Sequence, residues 1–139
     1  MSYKVILISI IHRKNKSEIL LVRRNREPGY DKWSLPGGIG ALENEPDPTL
    51  ANSEEVFGEF GTSIVDPKIF RLKYTAKPEP TLHLYFHGEL EGEPEIYSPK
   101  TTKELSWVPL SKVLRIDLAF KEVDMEVLNQ FEKEFSKIK

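Results

Sequence analysis

Cysteine is missing from all 139 residues of the sequence. Disulfides and thiolate metal sites are therefore excluded, and zinc becomes a poor fit. Neither sign of charge dominates: 20 Lys and Arg stand against 22 Asp and Glu, a formal charge of -2. That balance excludes a protein that grips nucleic acid through a basic surface, though not one that holds a small phosphorylated ligand with a local cluster of cations. Long hydrophobic runs are lacking too. The longest near the start, Val5 to Ile11, is broken by Ser9 and is far too short to span a bilayer. No small-residue cleavage site follows it. A membrane is thus not an expected partner, and the expectation is a cytoplasmic protein. There is no internal repeat, low-complexity tract or linker, so residues 1–139 are read as one domain, long enough to bury a proper core.

What is present alternates between strand and helix patterns. Val5–Ile11 and Glu18–Arg24 are rich in aliphatic and β-branched residues and flank the polar "RKNKS", a hairpin signal. "NREPGYDK" (25–32) is a loop, and Trp33 and Leu35 form a short extended piece before "PGG". Asp47 is a good N-cap and Pro48 suits the first helical position, so a helix runs to about Phe60 with Gly61 ending it. On its wheel Leu50, Val56, Phe57 and Phe60 share an apolar arc, with Asn52, Glu55 and Glu59 opposite. Strands follow at about 68–76 and 81–90. In the second, Leu82, Leu84 and Phe86 alternate with His83, Tyr85 and His87, which predicts one apolar and one polar face. "ELSWVPL" is a last strand. Phe120, Val123, Val127, Leu128, Phe131 and Phe135 then give a C-terminal amphipathic helix packed on the sheet. The order predicts a mixed α+β domain or a layered α/β/α one.

The chemistry concentrates between Leu35 and Gly61. In "EVFGEFG" Glu55 and Glu59 are four apart, one above the other on a helix face. Taken alone, such a pair reads as a solvated face or as a cation site. The Gly37–Gly38 pair allows a sharp turn that leaves backbone carbonyls and amides open to a ligand. Hard cations such as magnesium take carboxylate, carbonyl and water oxygens and commonly bind with substrate phosphates. Arg23 and Arg24 alternate on a strand, so one of them at most faces a phosphate, and Tyr30 or Trp33 could stack a base.

These residues resemble the Nudix hydrolases, whose box reads G-x5-E-x7-R-E-U-x-E-E-x-G-U, with U aliphatic and Leu-Pro-Gly usually ahead of it. "LPGG" (Leu35 to Gly38) matches, Ala51 matches a frequent alanine, and "EEVFGEFGT" aligns with the helix part of the box. "ILLVRR", "KWSLPGG" and "ELSWVPL" are similar to the family as well, so the resemblance covers nearly the whole chain. "DLAF" (117–120) resembles members acting on ADP-ribose-like compounds. The resemblance implies an α/β/α sandwich around a mixed sheet. It implies a pyrophosphohydrolase that cleaves a nucleoside diphosphate linked to another moiety, with Mg2+ or Mn2+ as cofactor. Glu55 and Glu59 would be the catalytic carboxylates, with one of them or a loop residue as general base. Glu55, Glu59 and the Gly37 carbonyl would hold the metal, with Glu104, three residues before Trp107, as a further ligand. Gly37, Gly38, Arg23, Arg24 and Tyr30 would bind substrate. Many members dimerise, so a homodimer is a partner to test.

The box also departs from the pattern. Glu54 stands where the family has arginine, Gly58 where it has a principal metal-binding glutamate, and Thr62 where it has an aliphatic residue. The stretch from Gly38 to Gly61 is two residues longer than the pattern, which leaves Glu45 or Glu43 as the loop glutamate. Glu54 would repel that glutamate unless another cation intervenes. Gly58 has two readings, erosion of the metal site or close packing of another element on its Cα. The alternative function is accordingly a catalytically impaired Nudix-fold module that binds a nucleotide or a protein partner.

Overall fold

The computed structural model of the chain describes residues 3–39, 42 and 45–135. Seven strands, β1 (Lys4–Arg13), β2 (Glu18–Arg24), β3 (Trp33–Ser34), β4 (Gly37–Ile39), β5 (Ile64–Thr75), β6 (Thr81–Leu90) and β7 (Thr102–Pro109), form one mixed sheet. Helix α1 (Pro48–Phe60) covers one face, while the short α2 (Leu110–Val113) and α3 (Lys121–Phe135) cover the other. Among the described residues, the path β3-β2-β1-β6-β5 carries one parallel strand pairing, β1 with β6, and the other pairings between these seven strands are antiparallel. One edge of β1 is shared. Its Ile6–Ile8 stretch pairs with β4 and its His12–Arg13 end pairs with β2, so the two neighbours part between these points.

Alternation along each strand supplies both faces of the core. Ile8, Ile10, Ile19, Leu21 and Tyr85 pack under α2 and α3 against Leu110, Val113, Val127, Leu128 and Phe131. Leu7, Ile11, Leu20, Val22 and Phe86 point the other way and meet Ala51, Val56 and Phe60 of α1. The expected polar face of the 81–90 strand is therefore not a solvated one. Tyr85 is fully buried, His87 lies among Phe70, Phe131 and Phe135, and Nε2 of the buried His12 is 3.1 Å from Nδ1 of His87. The amphipathic α3 takes over that face, and alternation within one strand cannot reveal a cover supplied from elsewhere in the chain.

Two boundaries differ from the sequence reading. The third long strand starts at Ile64 and is bent by register shifts between Val65 and Lys68 and between Ile69 and Arg71. The "PGG" segment is itself a short strand laid on β1, and a methyl group at Gly37 would approach the Leu7 carbonyl to 2.8 Å.

Candidate active site

Helix α1 begins and ends as its sequence dictates. The Asp47 carboxylate accepts the amide protons of Thr49 (2.9 Å) and Leu50 (3.4 Å), and Pro48 follows it. Gly61 closes the helix in the left-handed region at φ 71°, where its N–H donates to the Phe57 carbonyl. The inward arc, however, is rotated from the one expected. Leu50 and Phe57 are 53% and 51% exposed, whereas Asn52 is 2% exposed and accepts the Ser9 hydroxyl proton at 2.7 Å. The buried arc is Ala51, Asn52, Val56 and Phe60. Glu55 and Glu59 lie within it, half-buried instead of facing open water. A hydrophobic wheel misplaces this arc because it counts Asn52 as polar without its buried partner.

The carboxylate of Glu55 rests on Gly38. A methyl group there would sit 2.8 Å from both Cδ and Oε2 of Glu55, so a larger residue would push the carboxylate aside. The glycine strand and the acidic helix face are thus in direct contact. Burial pushes the Glu55 carboxyl from its ordinary 4.5 up to about 7; the Glu59 charge adds to this and Arg26 opposes it. Burial likewise lifts Glu59 to about 7, against the pull of Arg26 and then Arg24. Two desolvated carboxylates in one field favour a proton or a cation between them. The donors are hard oxygens that suit magnesium or manganese. Among the described residues, no group of three or more His, Asp or Glu side chains is arranged to hold a metal ion.

Arg23 and Arg24 take different partners at the end of β2, and of the two only Arg24 reaches this site. Its Nε–H donates to the Pro28 carbonyl at 2.6 Å, its guanidinium lies 4.9 Å from the Phe120 ring centre, and it shares a field with Glu59. Arg23 instead pairs with Asp31 (2.9 Å) and with Glu104 (3.1 Å), its register partner across β7. Lys103 bonds Asp31 at 2.6 Å and stands 4.4 Å from the centre of the Tyr30 ring. Glu104, Arg23 and Tyr30 therefore belong to a separate surface network that fixes the 25–32 loop, and Glu104 is not gathered with Glu55 and Glu59. Trp33 is partly buried against the core beneath α3.

Arg26 is the residue that the sequence reading passed over. It is a cation acting on both carboxylates, supplied by the loop after β2. The signal was the third arginine of "RRNR". Glu54 is exposed, and Glu45 accepts the Asp47 N–H at 3.0 Å; Glu43 lies outside the described residues. Gly58 is exposed as well, and a Cβ there would meet nothing within 4 Å among the described residues. Packing therefore does not account for this glycine.

Comparison with known proteins agrees with this fold. The MutT protein of Methanosarcina mazei Go1 is 26% identical, with a TM-score of 0.75 over 95% of this chain and 94% of that one. MutT from Aliivibrio salmonicida and Vibrio cholerae work is 20% identical, with a TM-score of 0.79 over 96% of this chain and all of its own (100%). The NUDIX domain of Shewanella oneidensis NrtR, solved in complex with ADP ribose, is 14% identical, with a TM-score of 0.75 over 94% of this chain and 88% of its own. No curated protein matches the sequence. The NUDIX domain family matches residues 3–131, nearly the whole chain, and the chain belongs to that family.

Proposed function

We propose that the chain is a cation-dependent pyrophosphohydrolase that cleaves a nucleoside diphosphate linked to another moiety. The observation that carries the reading is the half-buried Glu55 seated on Gly38, with Glu59 in the same field and Arg26 acting on both carboxylates. The reaction breaks a P–O bond of the anhydride while water adds to phosphorus. Glu55, Glu59 and the Gly37 carbonyl would hold Mg2+ or Mn2+. When bound, such an ion neutralises phosphoryl charge and lowers the pKa of water. Arg24 and Arg26 draw the diphosphate toward the acidic pair, which would otherwise repel it. Glu104, held by Arg23, is left out of this set.

ADP-ribose-like compounds head the substrate classes to screen, because the NrtR domain was solved with ADP ribose and "DLAF" (117–120) points the same way. A cytoplasmic location and a homodimer belong to the same proposal; no described helix is long and apolar enough to cross a membrane. One observation favours the second reading, a binding module without turnover: no third carboxylate joins the pair among the described residues. A hydrolysis screen over nucleotide sugars, dinucleoside polyphosphates and nucleoside triphosphates, with Mg2+ and with Mn2+, decides between them. Turnover supports the enzyme, and saturable binding without turnover supports the module.

A further inference from the structure

The acidic pair and the arginines come from different parts of the chain, α1 and the end of β2 with the loop that follows it. One surface segment, residues 95–101, is bonded to both. At one end the N–H groups of Glu95 and Tyr97 donate to the carbonyls of Phe60 and Glu59, each at 3.0 Å. These carbonyls belong to the last turn of α1 and have no partner within the helix. The Tyr97 ring lies against Gly61, where a methyl group would come within 2.6 Å of Cζ. At the other end the Asn25 N–H donates to the Thr101 carbonyl and its side-chain Nδ2 to the Pro99 carbonyl, both at 2.8 Å. Between the two ends the segment is braced. The Ser98 carbonyl accepts the N–H of Thr101 (3.1 Å) and of Thr102 (3.0 Å), and the Thr101 hydroxyl reaches the Ser98 hydroxyl at 3.0 Å.

Asn25 sits directly between Arg24 and Arg26 in sequence, and Glu59 supplies one of the carbonyls at the far end. We propose that residues 95–101 form a clasp that sets the spacing between the acidic pair and the two arginines, with Asn25 as its positioning residue for the diphosphate of the substrate. The proposal rests on the pyrophosphohydrolase reading for its ligand, though not for its mechanics. A segment that merely capped α1 would need its bonds to Phe60 and Glu59, but not the side-chain bond to Asn25. Asn25 touches neither carboxylate in this arrangement, so its removal separates arginine placement from cation binding.

The test is Asn25→Ala, with Asn25→Gln as the variant that keeps an amide donor. Amide exchange by NMR reads the clasp itself, and calorimetry reads Mn2+ alone and then methylenediphosphonate in saturating Mn2+. In Asn25→Ala the Tyr97 and Glu95 amides should exchange at least tenfold faster. Mn2+ affinity should stay within about twofold of the parent, and diphosphonate affinity should fall about tenfold. Asn25→Gln should recover part of that loss. Unchanged exchange at Tyr97 would overturn the clasp. Faster exchange with undiminished diphosphonate affinity would overturn the positioning role. A parent that binds neither Mn2+ nor diphosphonate would count against the pyrophosphohydrolase reading, and the exchange result would still decide the clasp.

Discussion

Replacing Glu59 by glutamine should stabilise the protein at alkaline pH in the absence of divalent cations. Glu59 is half-buried, and its carboxyl is lifted from 4.5 to about 7 by that burial, as is its neighbour Glu55. In the unfolded chain both groups ionise near their ordinary value, whereas the folded chain keeps their protons to about pH 7. The folded state therefore holds more protons in between, and stability falls as pH rises from about 4.5 to 7. For one group that interval corresponds to about 3 kcal/mol. Arg24 and Arg26 stabilise the ionised form of Glu59, and the two carboxyls share one field, so about 1–3 kcal/mol is the expected gain for Glu59→Gln at pH 8. At pH 4.5 the difference should vanish. Urea unfolding with a chelator present, at both pH values, measures it; exposed substitutions shift stability by only about 0.5 kcal/mol. Adding Mn2+ should raise the stability of the parent by mass action and leave the variant unmoved. A variant that is destabilised at pH 8 without metal would refute the account of a desolvated acidic pair, as would a gain independent of pH.

Three further outcomes follow from the same geometry. Gly58→Glu places a side chain in open space three residues after Glu55, so the variant should fold, gain up to about 1 kcal/mol of stability and bind Mn2+ more tightly by calorimetry. Weaker Mn2+ binding in the folded variant would contradict the eroded-site reading. Gly38→Ala should displace the Glu55 carboxylate and weaken Mn2+ binding about tenfold, and an unchanged titration would show that the contact is not part of the site. Tyr85→Phe removes the donor to Asp124, whose carboxyl burial raises to about 6, so a cost of about 1–3 kcal/mol should be larger at pH 8 than at pH 5 by urea unfolding; an equal loss at both would refute the coupling.

The sequence carried the fold at the level of elements because its signals are local: Asp47-Pro48 and Gly61 bound α1, and β-branched runs mark β1 and β2. The site was legible where a motif joined two such elements, as "LPGG" and the Glu55/Glu59 pair do. It was not legible where partners are distant in sequence. Asn52 turns inward because of Ser9, Glu104 is taken by Arg23, and Arg26 acts from a loop with no periodic pattern. A wheel drawn from hydrophobicity alone puts the carboxylates outside, and only the motif that joins them to the glycine pair places them in a cleft beside it. The two residues of extra loop length fall in a stretch around Glu43 and Glu45, of which Glu43 lies outside the described residues.

The central claim is that Glu55 and Glu59 form one cation site, and a calorimetric Mn2+ titration near pH 7, run in two buffers of different ionisation enthalpy, tests it most directly. With both carboxyls near 7, each is about half protonated, so binding should release about one proton in total. The account predicts a single saturable site in the parent with that proton release, and its loss in Glu55→Gln. The absence of saturable heat in the parent would contradict it, and so would equal binding in Glu55→Gln.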